Sequence, residues 1–266
     1  MAAFHGFGLA FHWLDRTGRL ARFRVRPTER LSYAQLLPRV LANQVFVLLP
    51  AMAAAEWLGL AFTGPAHAPA VMWVVALAAM PVGHDVVQYL THRYVLHRPA
   101  LMRPLGHEVH HRTRAGRSIS ACYMSLPDYF LEIVLPYLVP LAVIGGGGSD
   151  WLLHSVLVVA GAFGGLYEHS GYDFGRAFAG SAAAGGLKGR LFGLLAHATS
   201  SHAHGEHHSR GNVSFSDGFG SSGICDTVMK TRWDLVGVRR RRRERTAPAP
   251  EPAMEGALAA REQASA

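Results

Sequence analysis

Histidine placement constrains this chain more than any other feature. Five of its 16 histidines, His92, His97, His107, His110 and His111, fall within twenty residues. A second cluster, His202-Ala-His204-Gly-Glu-His207-His208, repeats the H-x-x-H-H spacing of residues 107–111. Positions i, i+3 and i+4 share one face of a helix, so each triplet aims three imidazoles at one point. Neutral imidazole is a good ligand for iron, zinc, copper and nickel. A lone histidine on an apolar face is usually a hydrogen-bonded core residue, but that reading does not explain two triplets of equal spacing. The fold is therefore expected to bring two distant helical segments together around metal.

Half of the 266 residues are hydrophobic and only 17% are charged, below the roughly 25% usual in soluble domains. The apolar residues come in runs. Residues 40–62 are long enough, at about 1.5 Å per residue, to cross a hydrocarbon core of ~30 Å. Pro50 should kink this run, and Glu56 needs a partner or an interfacial position. Residues 70–90 carry the chain back and end on His84, Asp85 and Tyr89, just before the first histidines. Residues 129–144 and 151–167 form a second, shorter pair joined by a glycine-rich turn, the first of them weakened by Pro136 and Pro140.

The expectation is an all-α integral membrane protein with about four transmembrane helices and a cytoplasmic helical cap holding a histidine-rich di-metal site. With four crossings, residues 1–39, 91–128 and everything after 168 share one side and carry all 26 lysines and arginines. The positive-inside rule then puts both termini and both histidine clusters on the cytoplasmic face. Residues 1–39 read as a basic interfacial segment, 40–238 as the membrane-embedded catalytic domain, and 239–266 as an arginine patch with a disordered tail. No charged n-region followed by a short apolar core opens the chain, so no removable signal peptide is expected.

Other classes find little support. Cys122 and Cys225 lie far apart without metal or redox spacing. The formal charge of +8 sits beside apolar segments and lacks a nucleic-acid motif, which favours anionic lipid headgroups over nucleic acid as its partner. The chain carries no fingerprint for bound flavin, NAD or heme.

At this point the motifs resemble the fatty acid hydroxylase superfamily, also called the sterol desaturase family, of membrane di-iron oxygenases. Asp85-Val-Val-Gln-Tyr89-Leu-Thr-His92-Arg93 is similar to its D-x-x-x-Y-x-x-H-R opening, and HEVHH at 107–111 to its second box. His169-Ser-Gly-Tyr-Asp173, HGEHH at 204–208 and Asp226-x-x-x-x-Thr231 resemble segments of the 4-methylsterol oxidase branch. The likeness covers roughly residues 10–235.

The resemblance implies that His92, His97, His107, His110, His111, His169, His204, His207 and His208 ligate two irons, with His202 as a tenth candidate. It implies oxygen-dependent hydroxylation or desaturation of an unactivated C–H bond in a lipid, sterol-like or fatty-acyl. Electrons would come from a ferredoxin or a b-type cytochrome with its reductase. Asp85 and Asp173, and less so Glu168, are expected to orient imidazoles through their second nitrogen, with Arg93 paired to one of these acids. One position departs from the branch: His92 and His97 are five apart, where sterol oxidases usually show four. On an ideal helix five residues turn about 140° from the starting direction, so a π-bulge or a helix end is needed for both rings to converge. A membrane zinc hydrolase and a non-catalytic metal-binding membrane protein remain alternatives, although nine or ten ligands are too many for one zinc.

Overall fold

The computed structural model describes residues 1–60, 69–143, 150–183 and 185–236. Residues 61–68 and 144–149, where the connections were expected, and the Arg239–Arg243 patch with the residues after it lie outside the described residues. Among the described residues every regular element is helical, and the one β-bridge, Arg24 with Tyr172, is isolated.

Helix α1 (Ala2–Thr17) ends at Gly18, whose φ of 65° places it in the left-handed region that glycine tolerates. Helix α2 (Tyr33–Trp57) opens on a capping box: the Ser32 side chain accepts from the Gln35 amide while the Gln35 side chain accepts from the Ser32 amide. Helix α3 (Ala70–Leu96) leads into α4 (His107–His111). Helix α5 (Leu126–Val143) starts under a Ser125 cap. Helix α6 (Trp151–His169) starts under Asp150, which accepts from the Leu152 and Leu153 amides. Shorter helices follow: α7 (Arg176–Ala182), α8 (Gly186–Ala198), α9 (His202–Arg210) and α10 (Ile224–Val228).

Helices α2, α3 and α5 are long and apolar enough to cross a membrane. Their side chains fit a hydrocarbon surrounding: Phe46, Trp57, Val71, Val74 and Val143 all stand exposed, an arrangement costly in water. Helix α2 begins seven residues before the expected start at 40, because the Ser32 cap and not the onset of the apolar run sets its first turn. Helix α6, expected as a fourth crossing, has 19 residues and is not among these three. Gly83 allows α3 and α5 to touch, since a Cβ there would lie 2.6 Å from Pro140 Cβ.

Each of the three long helices contains one π turn, at Gln44–Leu48, His92–Leu96 and Phe130–Val134. Two of these turns have a visible cause. Leu49 and Leu135 each precede a proline and donate five residues back, to Gln44 and Phe130. Proline in the next position has no amide to continue a regular ladder.

The main buried core lies at the end of the bundle. Phe4 and Phe11 of α1, Leu36 and Val40 of α2, Ile119 and Met124 of the connecting segment, and Leu166 and Tyr167 of α6 pack together there. The basic N-terminal segment thus contributes to this core. Its continuation lies against residues 171–173: Val25 donates to Gly171 O at 2.9 Å, and Asp173 donates to Phe23 O at 2.8 Å.

Candidate metal centre

Four helical segments deliver histidines to one buried volume at this end of the bundle: the last turn of α3, all of α4, the end of α6 and the face of α9. Nine of the ten histidines named from sequence meet there in two adjacent groups. His92, His97, His107, His111 and His207 form one group, and His110, His169, His204 and His208 the other; within each group the ligand atoms lie within 4.8 Å of one another. The groups abut, with the His111 and His208 rings 4.7 Å apart between centroids.

The π turn at His92–Leu96 solves the spacing problem posed by the sequence. The His97 amide donates to His92 O at 2.8 Å, five residues back, and the helix stops there. The wide turn reduces the angular offset that five residues would have on a regular helix, and both rings reach the same group.

Backbone carbonyls fix the tautomers. His92 Nδ1 donates to Phe215 O at 2.6 Å, His207 Nδ1 to Val213 O at 2.8 Å and His169 Nδ1 to Gly165 O at 2.9 Å. A carbonyl only accepts, so Nδ1 carries the proton in each of these rings and Nε2 presents a bare lone pair. Those Nε2 atoms face other ring nitrogens at 3.0–3.2 Å: His92 to His107, His207 to His97 and His111, and His169 to His110 and His204. Lone pairs cannot satisfy one another, but a shared cation satisfies all of them. Ligand atoms about 2.1 Å from one ion lie about 3.0 Å apart at right angles and about 3.4 Å apart at the tetrahedral angle. The donor set therefore fits two metal ions, one per group.

Titration of the rings follows from their surroundings. Burial first, and neighbouring imidazoles second, hold His97, His110, His204, His207 and His208 well down and bring His111 to about 3. These rings are neutral and ready to ligate. His107 is the exception. Burial works against its charged form, yet Glu132 and Asp128 outweigh burial and push it up to about 9.

Asp128 and Glu132 were not legible as site residues in the sequence. Asp128 Oδ1 accepts from His107 Nδ1 at 2.9 Å, and Glu132 Oε2 lies 3.4 Å from the same nitrogen. Both carboxylates are buried. The only signal available was two acids near the start of an apolar run, a pattern that ordinary helix-end acids share.

The acids chosen from sequence do something else. Asp85 is fully buried but touches no imidazole; it accepts from the Ser216 and Ser222 hydroxyls and from the Ile224 amide at 2.7 Å. Asp226 accepts from the amides of Phe215, Ser216 and Asp217 at 2.7–3.1 Å. Together these acids pin the loop whose Phe215 carbonyl orients His92. Asp173 likewise touches no histidine: it accepts from the Gly175 amide at 3.0 Å and from Ser200 Oγ at 3.1 Å. Glu168 accepts from the Phe219 amide at 2.6 Å and stands 4.0 Å from His204 Nδ1. Arg93 donates to the Tyr89 hydroxyl rather than to an acid.

His202 stands outside both groups. Its ring is half-exposed, 3.7 Å from Glu206 and edge-on to Trp233 at 4.6 Å. Two residues on a helix turn about 200°, so His202 points away from the face shared by His204, His207 and His208. Its position beside the cluster in sequence made it a candidate, and helical phase sets its ring on another face from the two groups.

Arg26 is a further residue that sequence reading passed over. Its guanidinium donates to Ala115 O at 3.1 Å, to Ser201 O at 3.0 Å and to Glu168 O. These carbonyls adjoin α4, α9 and His169, so a single side chain ties together three histidine-bearing segments.

No curated protein and no solved structure matches this chain. The family model described as Fatty acid hydroxylase matches residues 77–231, a range that contains both histidine groups and the loop that orients them. By that match, the chain belongs to the fatty acid hydroxylase family.

Proposed function

We propose that this protein is a membrane-bound di-iron oxygenase that hydroxylates or desaturates an unactivated C–H bond of a lipid, using O2 and external electrons. The observation that carries this reading is the pair of adjacent all-nitrogen groups, one of five histidines and one of four, whose bare lone pairs face inward. Membership of a fatty acid hydroxylase family supports lipid oxidation as the activity class. When bound, the metal pair supplies reductive activation of O2 and abstraction of hydrogen from carbon.

The chain's own residues supply placement. The carbonyls of Phe215, Val213 and Gly165 hold three rings in their ligating tautomer. Asp128 increases the donor strength of His107 through its Nδ1–H. Burial of the groups keeps bulk water from the reacting centre. The apolar surfaces of α2, α3 and α5 offer a lipid substrate approach from the hydrocarbon side. The substrate pattern closest to these motifs is that of 4-methylsterol oxidases, with a fatty-acyl chain as the other class. A ferredoxin or a b-type cytochrome with its reductase is the electron donor in this reading, docking at the cytoplasmic end where the arginines concentrate.

The deciding measurement is the metal content of protein purified in detergent from iron-replete cells, together with its response to dithionite and oxygen. Two redox-active irons per chain support the reading. One redox-inert zinc, with iron absent, refutes it and favours a hydrolase or a structural site.

A further inference from the structure

We propose that Glu132 is a ligand of the metal pair, a carboxylate shared between the two histidine groups. The inference rests on the two-metal reading above. Glu132 is buried in the π turn Phe130–Val134 of α5, which aims its side chain at the boundary between the groups. Its Oε1 lies 3.9 Å from His92 Nε2, in the five-histidine group, and 3.7 Å from His110 Nε2, in the four-histidine group. Its Oε2 is buried without a hydrogen-bond partner among the described residues.

Three physical arguments converge on a cation between these atoms. First, His92 Nδ1 donates to the Phe215 carbonyl, so the His92 Nε2 facing Glu132 is a lone pair, and an anionic oxygen facing a lone pair is repelled unless a cation lies between them. Second, the separations are those of co-ligands. Two atoms each about 2.1 Å from one ion lie from about 3.0 Å apart at right angles to about 4.2 Å apart when opposed. Third, a buried carboxylate needs a compensating charge, and in the loaded centre, where His107 ligates as a neutral ring, the ion-pair partners of Glu132 among the described residues, His92, His107 and His110, supply none. Nine neutral imidazoles bring no negative charge to balance two divalent ions, and Glu132 is the acid placed to supply it. The centre is then a mixed histidine and carboxylate site, in which the groups of five and four nitrogens each gain the shared carboxylate.

The test uses full-length protein in detergent, metal-free and then loaded with ferrous iron or zinc, as wild type, Glu132→Gln and Asp128→Asn. Three readouts are taken: metals per chain, magnetic coupling by Mössbauer spectroscopy of the oxidised iron form, and the loaded-minus-apo infrared spectrum in the carboxylate region. The expected result is two metals in wild type, with a carboxylate band that shifts on loading. Glu132→Gln should lose that band, alter the coupling and weaken the second metal at least tenfold. Asp128→Asn, which changes the acceptor of the His107 Nδ1–H beside Glu132 but leaves the Glu132 carboxylate in place, should keep a carboxylate band that shifts on loading and the coupling once both metals are bound. If wild type shows no carboxylate shift on loading, the proposal is overturned whether or not the variant folds. An unchanged coupling in Glu132→Gln with two metals bound overturns it equally. If wild type itself holds fewer than two metals, the two-metal reading fails instead, and the metal count separates that failure from the other.

Discussion

Replacing Arg26 should loosen the half of the centre built on His169 and α9 before it affects the rest. In Arg26→Met the carbonyls of Ala115, Glu168 and Ser201 lose their guanidinium donor. Ser201 O keeps the Gly205 amide at 3.3 Å, so Ala115 O and Glu168 O carry most of the loss. A buried polar group left unpaired costs about 1–3 kcal/mol, which gives about 2–6 kcal/mol for the two. For a domain of this size that corresponds to a fall of roughly 5–20 °C in melting temperature. Arg26→Lys offers a point charge in place of a planar fork and should recover only about half of this. Gly205→Ala is an independent route to the same displacement, because its Cβ would lie 2.4 Å from Arg26 Nη1. The assay is a thermal melt of metal-free protein in detergent, run beside metal counting of the loaded form. The four-histidine group, flanked by Glu168 and Ser201, should release its metal first, leaving about one ion per chain. If Arg26→Met melts within about 2 °C of wild type and keeps both ions, the reasoning is refuted.

Other expectations follow from the same geometry. His207→Ala should abolish product formation and drop the metal count while the protein remains membrane-inserted, whereas His202→Ala should leave both near wild type; full turnover in His207→Ala would break the ligand assignment. Asp128→Asn should weaken metal binding at the five-histidine group by about 10–100-fold, read by competition with a chromophoric chelator, and an unchanged affinity would remove its role in orienting His107. Metal binding should also depend on pH through His107. Its ring, pushed up to about 9, holds a proton at neutral pH that the metal must displace, so affinity should fall about tenfold per unit below about pH 9 and level off above it. In the metal-free protein the same raised value contributes stability that is complete below the unfolded value near 6.5 and is lost as pH rises through about 9. A flat affinity profile from pH 7 to 9 would rule out that competition.

Spacing made much of the centre legible in the sequence. Two H-x-x-H-H triplets on helices specify three-pronged faces, and the 140° problem between His92 and His97 already required a wide turn or a helix end. What sequence could not supply were contacts made by groups without side-chain identity. The Phe215, Val213 and Gly165 carbonyls that set the tautomers belong to residues whose names carry no hint of that role. Proximity in sequence also misled. Asp85 lies seven residues before His92, on nearly the same face of α3, yet it turns to the Ser216 hydroxyl and the Ile224 amide because the C-terminal loop packs there. Asp128 and Glu132 come from another helix altogether, and Arg26 was concealed among the arginines of a segment that reads as a surface strip.

The π turn at His92–Leu96 bears on how chains of this kind should be lined up with one another. An extra residue between two ligands looks, letter by letter, like a lost or displaced ligand. Here the backbone absorbs it in one underwound step, so His92 and His97 still serve the same group. The residue count between two histidines is therefore a record of local winding, not of how many donors the centre owns. Deleting Val95 would restore a regular turn and ask a four-residue interval to do the same work, turning an apparent sequence mismatch into a measurable insertion event within a single helix.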